Sequence, residues 1–381
     1  MLITLPAKYL MLMGTIIVVG IVLLYALLML RRRLKKRRVG RFIVNAGLSL
    51  WMIAAFLTMV ELGFAAFYDT TDSFNRTNVS RRWFNQHIEP NKRALEFSSG
   101  NGVFYRAAEP FPTEPPEEHH VCFMGDSFTF GHGIVDVSKR FSDQMGENLK
   151  RSRPGEFKVS NLSMPGTDLF WVEGLIHQLV ADNYKVDSAV YVICLNDIEA
   201  FSDDHMSFYK DIGKMDPKFI LFRETYFFNL LYYRMNTFSR PEVRDYYAFV
   251  KDYYAGDPWT TMSGKLTRTA DLCRENGCEF KVVVFPFLHN CGEDYPFRDV
   301  HKQIVSFCNE NEITVFDLEP LFRQHAGERL TVNPFDAHPN EHAHALAAKA
   351  IEDALFKTVE PEDAAEPTEQ ATKLQEATSG E

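Results

Sequence analysis

Two long apolar segments near the N-terminus constrain the fold of this chain more than any other feature of its sequence. The first runs from Tyr9 to Leu30 and the second from Phe42 to Phe67. Each is long enough to cross the roughly 30 Å hydrocarbon core of a bilayer as a helix that rises about 1.5 Å per residue. A signal peptide has a shorter apolar run, with basic residues before it and small residues after it. The sequence therefore predicts a membrane anchor of two transmembrane helices in residues 1–67.

The short loop between these segments is strongly basic and predicts their orientation. Eight Lys and Arg lie between positions 31 and 41, whereas Lys8 is the only basic residue before them. The positive-inside rule keeps such a loop in the cytoplasm, so both chain ends lie on the opposite side of the membrane. We therefore expect everything after about Tyr68 to be extracytoplasmic, which in a bacterium means the periplasm. Glu61 is expected near the outer interface, where a carboxylate costs little.

The rest of the chain is acidic, which argues against nucleic acid as a partner. Residues up to Ala65 contain nine Lys and Arg against one Glu, and the remainder contains 32 basic and 50 acidic residues. Phosphate contacts need clustered positive charge, so no nucleic-acid binding is expected. The 46% of hydrophobic and 24% of charged residues are typical of a globular protein.

Composition divides the extracytoplasmic part into three regions. Residues 68–118 are polar and end in a proline-rich stretch, which predicts a linker with one short strand at 102–107. Residues 119–357 carry the folded domain, and residues 358–381 form an acidic tail that we expect to be disordered. Within the domain, the aromatic-rich insertion 201–259 is either a helical cap with its own small core or a wall of a substrate site, and both can hold.

The domain alternates short apolar runs with helical segments. Strands rich in β-branched residues and separated by helices are typical of a parallel sheet covered on both faces, an α/β architecture. The predicted strands are Val121–Met124, Lys158–Leu162, Ala189–Leu195, Phe280–Phe285 and Ile313–Phe316, and the predicted helices are Lys139–Arg151, Asp168–Asn183, Thr261–Asn276, Arg298–Asn309 and Asn340–Phe356.

A candidate nucleophile follows the first predicted strand. The apolar run Val121–Met124 leads into Gly125-Asp126-Ser127. Such a turn exposes a serine hydroxyl at the carboxyl end of the strand, where helix-terminal amides stabilise negative charge. Asp126 is expected to be a structural hydrogen-bonding residue. Alone, Gly-Asp-Ser is a weak signal, because Asp and Ser are common in loops and caps.

Later segments add the other groups that acyl transfer requires. Gly166 follows the second strand and can present a backbone N–H, and Asn196 follows the third and can donate from its amide. Either can also be a simple turn or strand-capping residue. His338, before the last helix, would be the general base, and Asp336 the carboxylate that orients it. Preorganised donors together with a Ser–His pair are the requirements of acyl transfer.

In this order the segments resemble the motifs of the SGNH hydrolases, the GDSL esterase and lipase superfamily, over roughly residues 119–356. The resemblance implies a flavodoxin-like three-layer sandwich with a five-stranded parallel sheet of order 2-1-3-4-5. It also implies the site residues: the nucleophile Ser127, the oxyanion donors Ser127, Gly166 and Asn196, and the catalytic Asp336 and His338.

Two positions depart from the family pattern. The third motif usually reads Gly-x-Asn-Asp, but Cys194 stands in the place of the glycine. The last motif usually has two residues between Asp and His, whereas only Ala337 separates Asp336 from His338. The shorter spacing leaves open whether the carboxylate reaches the imidazole. His132, which lies near the serine turn, could face the cleft, but we favour an exposed loop residue.

A metal site is an alternative use of the histidines that we do not favour. His338-Pro339-Asn340-Glu341-His342 has the H-x-x-E-H form of an inverted zinc-protease motif. That motif needs both histidines on one helical face. Pro339 fits the first turn of the last helix and would place His338 at its entrance. We therefore expect no metal and no other cofactor.

The six cysteines lie in a part of the chain assigned to an oxidising compartment, where disulfides are possible. Cys122 and Cys194 fall on predicted buried strands and are expected to be inert thiols. The remaining four allow up to two bridges of open connectivity, among Cys273, Cys278, Cys291 and Cys308.

These observations predict a two-pass protein of the cytoplasmic membrane whose extracytoplasmic domain is a serine esterase or acyltransferase. Tethering beside an envelope favours an ester-bearing glycan or lipid as the substrate, and the bilayer itself is the other expected partner. The alternative is a non-catalytic envelope module that binds an acylated glycan in the same cleft.

Overall fold

The structure, a computed structural model, describes residues 5–34, 36–202, 215–237 and 245–356. The predicted acidic tail and part of the predicted insertion lie outside the described residues. Within these ranges the chain forms two long helices, then a short helix and a β-hairpin, and then a domain built on a parallel sheet.

Two long helices, α1 (Ala7–Arg33) and α2 (Arg38–Phe67), pack against each other at the start of the described chain. Both are long and apolar enough to cross a membrane, and only 6% of each apolar window is buried. A core helix of a soluble domain would be largely covered, so this exposure favours an apolar surrounding. Trp51 Nε1 donates a hydrogen bond to the Gly20 carbonyl oxygen over 2.8 Å and joins the two helices.

The predicted linker contains more structure than its composition indicated. Helix α3 spans Asn78–His87, and Thr77 caps it by accepting a hydrogen bond from the Ser80 N–H. Strands β1 (Lys92–Glu96) and β2 (Gly102–Arg106) then form an antiparallel hairpin, so the single predicted strand has a partner. Helix α3 was not predicted, because only a few apolar residues repeat at helical spacing in this polar segment.

Five parallel strands form the central sheet. Their order in the sheet is β4-β3-β5-β6-β7, which in order of appearance is 2-1-3-4-5, so the predicted fold class is confirmed. All seven residues of β5 are buried, as expected for the middle of a sheet covered on both faces. The strands are β3 (His119–Gly125), β4 (Phe157–Asn161), β5 (Ser188–Cys194), β6 (Glu279–Phe285) and β7 (Thr314–Asp317).

Helices cover both faces of this sheet, and each of the five predicted helices is present. Three further helices occupy the described part of the insertion, where helical segments were expected. The helices are α4 (Ser127–Phe130), α5 (Phe141–Ser152), α6 (Leu169–Ala181), α7 (Ile220–Glu224), α8 (Phe227–Thr237), α9 (Tyr246–Tyr254), α10 (Asp257–Glu275), α11 (Arg298–Glu310), α12 (Glu319–Gln324) and α13 (Glu341–Leu355).

A short hairpin precedes the last helix and carries two of the predicted site residues. Strand β8 (Thr331–Asn333) pairs with β9 (Asp336–Pro339) in antiparallel fashion. The expectation that Pro339 lies in the first turn of α13 is wrong, because Pro339 ends β9. Asn340 is the N-cap instead, and its side chain accepts a hydrogen bond from the Ala343 N–H over 3.0 Å.

The two long apolar helices are docked onto the domain through a buried carboxylate. Glu61 in α2 is fully buried and accepts hydrogen bonds from the backbone N–H groups of Tyr226 over 2.8 Å and Phe227 over 2.9 Å. These N–H groups belong to the start of α8, so Glu61 caps a helix of the insertion. Glu61 was expected to be a tolerated interfacial charge, and the structure instead gives it a specific partner.

Gly125 at the end of β3 is a position where only glycine fits. Its φ is +158°, and an added Cβ would lie 2.6 Å from Thr129 Oγ1 and 2.8 Å from the Val192 carbonyl oxygen. Because the carbonyl belongs to the neighbouring strand, it cannot move without disturbing the sheet. The sharp turn that presents Ser127 therefore depends on the missing side chain.

Gly125→Ala should lower the free energy of unfolding by about 2 kcal/mol or more, through overpacking and backbone strain. Gly174→Ala is the matched control, since Gly174 is exposed on α6 and a Cβ there meets nothing within 4 Å. We expect this control to be neutral or to stabilise by about 0.5–1 kcal/mol. Thermal unfolding of the full chain in detergent measures both, and equal effects would contradict the packing argument.

Candidate active site

Ser127 begins helix α4, directly after the turn at the end of β3. Asp126 caps this helix, and its carboxylate accepts a hydrogen bond from the Phe128 N–H over 2.8 Å. The Ser127 hydroxyl lies 3.3 Å from the other oxygen of the same carboxylate. The carboxyl end of the strand thus presents the hydroxyl at the rim of the sheet, where the sequence predicted it.

His338 and Asp336 lie on β9 and converge with Ser127. The distance from His338 Nε2 to Ser127 Oγ is 2.8 Å, and that from His338 Nδ1 to Asp336 Oδ1 is 2.5 Å. Side chains two residues apart on a strand point to the same face. The short spacing of Asp336-Ala337-His338 therefore brings the carboxylate and the imidazole together, and the structure answers the question that the sequence left open.

The hydrogen-bond partners define the tautomer of His338. An ionised carboxylate can only accept a hydrogen bond. His338 Nδ1 is therefore protonated and donates its N–H to Asp336. Nε2 is then the acceptor and faces the Ser127 hydroxyl. Burial, the strongest influence, and the adjacent His132 lower the pKa of His338, although Asp336 acts in the opposite direction. The imidazole is consequently neutral near pH 7 and able to accept the serine proton.

Asp336 is completely buried, yet hydrogen bonds surround both of its oxygens. Burial opposes its ionisation, but His338 and His132 hold the pKa of this carboxyl well below its usual value. Oδ1 accepts from the His338 side chain and, over 3.1 Å, from the His338 backbone N–H. Oδ2 accepts from the hydroxyl of Thr71, a residue of the predicted linker. The buried charge is thus stabilised by several donors.

His132 contradicts its expected exposed position, because it is 3% exposed and stacks on His338. The two imidazole rings are 4.1 Å apart and 17° from parallel. His132 Nε2 lies 3.2 Å from the carbonyl oxygen of Asp72 and 3.4 Å from Asp336 Oδ2. The sequence does not reveal this role, because the partners of His132 come from distant parts of the chain. Its nearness to Ser127 was the one available signal.

Gly166 and Asn196 both reach the same cavity as Ser127. Gly166 has a φ of +76°, which favours glycine, and its turn is tied to the serine turn because Thr167 Oγ1 donates to the Gly125 carbonyl oxygen over 2.8 Å. Asn196 lies in the 3₁₀ turn that follows β5. The carboxyl ends of three neighbouring strands therefore supply the residues that the sequence assigned to oxyanion binding.

Asp126 is hydrogen-bonded to several groups around Ser127. Burial raises the pKa of this carboxyl to about 6, whereas hydrogen bonds from the N–H groups of Phe128 and Ser127 and from the side chains of Ser127 and Asn196 lower it. A side-chain amide has two N–H donors. Asp126 can thus hold one donor of Asn196 and leave the second free for a ligand. This fits the structural role that the sequence predicted for Asp126.

These groups open into a cavity of about 410 Å³. One wall is aromatic and comes largely from the insertion, through Tyr246 and Tyr247 on α9. Another part of the lining comes from the segment between α2 and α3, through Ser73 and Phe74. Tyr246 also donates a hydrogen bond to Glu199, which holds that wall against the 3₁₀ turn after β5. The described part of the insertion therefore supplies a cavity wall, as one interpretation expected. It does not form a separate small core, because its buried residues Val250 and Tyr254 pack in the main core of the domain.

The histidines of the zinc-type motif do not share one site. His338 faces Ser127 from a strand, whereas His342 on α13 pairs with Glu328 at the surface. His344 is buried and accepts a hydrogen bond from the Phe141 N–H over 3.1 Å. The structure also describes all six cysteines as free thiols, so neither of the two bridges that the sequence allowed is present.

Solved structures with a similar fold include a lipolytic protein of the G-D-S-L family from Veillonella parvula DSM 2008, with 14% identity over 63% of this chain and 99% of that chain and a TM-score of 0.39. TesA is similar at 13% identity, 62% and 98% coverage and a TM-score of 0.39. Axe2, an acetylxylan esterase from Geobacillus stearothermophilus, has 13% identity, 65% and 98% coverage and a TM-score of 0.40. No protein-family model and no curated protein matches the chain.

The lowered pKa of His338 predicts that Ser127 stays reactive in mildly acidic solution. The imidazole must be neutral to act as a base, and it loses that form only as the pH falls through its lowered pKa. The acid limb of the rate of fluorophosphonate labelling should therefore have its midpoint below about 6.5, the ordinary value for histidine.

Asp126 titrates in the same range and has to be separated from His338. Asp126→Asn removes this second titration and keeps a good helix cap. The acid limb assigned to His338 should persist in this variant. A limb at or above pH 7, or one that disappears with Asp126, would contradict the assignment.

Proposed function

We propose that this protein is a membrane-anchored serine esterase or acyltransferase that works through an acyl-enzyme. The observation that carries the proposal is the continuous hydrogen-bonded series from Asp336 through His338 to Ser127, which ends in an open cavity. A buried, neutral imidazole held between a carboxylate and a hydroxyl is the arrangement that activates serine for attack on a carbonyl.

The reaction begins when Ser127 Oγ attacks the carbonyl carbon of a bound ester. The hydroxyl proton passes to Nε2 of His338, and Asp336 stabilises the imidazolium that forms. The tetrahedral intermediate then collapses, the bond to the alcohol oxygen breaks, and His338 returns the proton to the leaving alcohol. An incoming water or hydroxyl group repeats these steps in reverse and releases the acyl group from Ser127.

The negative charge of the tetrahedral oxygen needs donors that are already in place. The backbone N–H groups of Ser127 and Gly166 and the second N–H of the Asn196 amide are the groups assigned to this task. Gly166 and Asn196 line the cavity next to Ser127, which supports the assignment. Donors fixed by the fold stabilise the developing charge without a cost of reorganisation at the moment of reaction.

The substrate class follows from the position of the domain. The basic loop between α1 and α2 supports an orientation with both chain ends outside the cytoplasm, and the two long apolar helices support a position of the domain beside the bilayer. An ester-bearing glycan or lipid of the cell envelope is the substrate that a domain so placed would meet. Water would make the protein an esterase, and a sugar hydroxyl would make it an acyltransferase.

The alternative of a non-catalytic binding module depended on the short Asp–His spacing. Both residues lie on β9, and the strand brings Asp336 within hydrogen-bond distance of His338. The short spacing therefore no longer favours a binding module over an enzyme. We therefore retain the enzyme as the proposed function.

A fluorophosphonate probe tests the nucleophile in the full chain. We expect covalent labelling of the wild type and none of Ser127→Ala, since the probe forms a bond to an activated serine. His338→Ala should slow labelling by on the order of 10²–10⁴, the usual contribution of a general base. Ser99→Ala, on the exposed loop of the β1–β2 hairpin, should label like the wild type. A folded wild type that never labels would overturn the proposal.

Reporter fusions test the orientation. A phosphatase reporter that is active only outside the cytoplasm should be active when fused after Phe356. The same reporter should be inactive when fused after Arg37, in the basic loop. The opposite pattern would contradict the positive-inside argument and would move the domain to the cytoplasm.

A further inference from the structure

The segment that joins α2 to α3 contacts Asp336 and His132. We call residues Thr71–Arg76 the strap. It starts four positions after α2 ends at Phe67 and finishes just before α3. Thr71 is 3% and Asp72 8% exposed, so this part of the supposed linker belongs to the buried interior of the site.

Thr71 completes the surroundings of the buried carboxylate. Its hydroxyl donates to Asp336 Oδ2, the oxygen on the side away from His338 Nδ1. A buried carboxylate oxygen without a donor is costly, and a carboxylate that is free to rotate holds an imidazole poorly. The Thr71 hydroxyl therefore keeps Asp336 in the orientation that His338 needs.

The strap also holds the second histidine. The Asp72 carbonyl oxygen lies 3.2 Å from His132 Nε2, and His132 stacks on the ring of His338. Since the neighbouring Oδ2 of Asp336 can only accept, Nε2 is protonated and donates toward both oxygens. His132 thus fixes the plane of the His338 ring from one side while the strap fixes His132.

Local hydrogen bonds hold the strap in a defined turn. The Asp72 carboxylate accepts hydrogen bonds from the backbone N–H groups of Phe74, Arg76 and Thr77 over 3.1, 3.2 and 3.1 Å, and from the Thr77 hydroxyl over 2.7 Å. A carboxylate that accepts hydrogen bonds from three nearby backbone N–H groups in this way fixes a local turn. The carbonyl of Asp72 is consequently held in one place for His132.

Ser73 joins the strap to β9. The Ala337 N–H donates to Ser73 Oγ over 3.0 Å, and the Ser73 N–H donates to the Phe335 carbonyl oxygen over 3.3 Å. Ala337 is the residue between Asp336 and His338. The strap is therefore hydrogen-bonded directly to the strand that carries both catalytic side chains.

Both ends of the strap are attached to the anchor. On α3, the Arg82 guanidinium donates to the carbonyl oxygens of Ala65 and Tyr68 at the end of α2. The Arg82 guanidinium also lies over the ring of Tyr226, the residue whose backbone N–H donates to Glu61. The end of α2, α3 and the insertion thus form one packed unit around the strap.

We propose that Thr71 and His132 are positioning residues, and that the juxtamembrane strap is a working part of the active site. This rests on the proposed serine chemistry, because it assigns the two residues to the orientation of Asp336 and His338. The functional unit accordingly begins at the membrane, at Thr71, and not at the first strand of the sheet.

The test compares Thr71→Val with Thr71→Ser in the full chain, purified in detergent, on a soluble short-chain p-nitrophenyl ester. Valine keeps the volume of threonine and removes the hydroxyl, whereas serine keeps the hydroxyl. We expect Thr71→Val to lower kcat at least tenfold with KM unchanged within about twofold, and Thr71→Ser to restore kcat. Thr267→Val on α10 is the matched control and should behave as the wild type, because its hydroxyl bonds only within its own helix.

A second readout keeps the strap separable from the proposed chemistry. The His338 Nδ1 proton shared with Asp336 should give a far-downfield NMR signal in histidine-labelled protein. We expect the signal in the wild type and in Thr71→Ser, and its loss in Thr71→Val. An inactive wild type that shows this pattern would overturn the proposed function and support the strap. Wild-type kcat or an unchanged signal in Thr71→Val would overturn the strap.

His132→Phe carries the test where Thr71→Val fails to fold, as judged by thermal unfolding. Phenylalanine can keep the stacking on His338 but cannot donate to Asp72 or Asp336. We expect the same loss of kcat with little change in KM. Wild-type kcat in a folded His132→Phe variant would contradict the positioning role.

Discussion

The buried carboxylate of Asp336 is the group on which the rest of the site depends. It lies out of contact with solvent and is ionised, a state that is costly unless donors surround it. The donors come from three places: its own strand, the loop after α4, and the segment between α2 and α3. Each of these elements has to be in position before the charge can be buried. The requirement for donors therefore couples the geometry of His338 to the folding of sequence-distant parts of the chain.

The parallel sheet provides the other half of the site. Because all five strands run in the same direction, the loops after β3, β4 and β5 meet at one edge. This places Ser127, Gly166 and Asn196 around one cavity, although 69 positions separate the first from the last. The turn before Ser127 requires glycine at position 125, since the neighbouring carbonyl oxygen leaves no space for a side chain. The reactive groups are thus held by backbone elements and need little adjustment to meet a substrate.

Specific side-chain contacts, in addition to the chain itself, join the two long apolar helices to the domain. Glu61 of α2 caps a helix of the insertion, and Arg82 of α3 binds the last carbonyls of α2. A carboxylate and a guanidinium that are buried in this way hold their partners in defined orientations. The strap joins α2 to α3 along the chain and contacts the catalytic residues. In this protein, the segment that joins the two long apolar helices to the domain therefore also supports the candidate active site.

The sequence alone determined the two long apolar helices and the five strands, because these depend on local periodicity. The sequence indicated the order of the strands and the grouping of Ser127 with His338 only through the resemblance of its motifs to those of a known family. It left open whether Asp336 reaches His338, since that depends on those residues lying on a strand, where alternate side chains share a face. It expected an exposed His132 and a loose linker, and the tertiary structure decided otherwise. The partner of Thr71 lies 265 positions away along the chain, and no local pattern of a polar segment encodes such a contact.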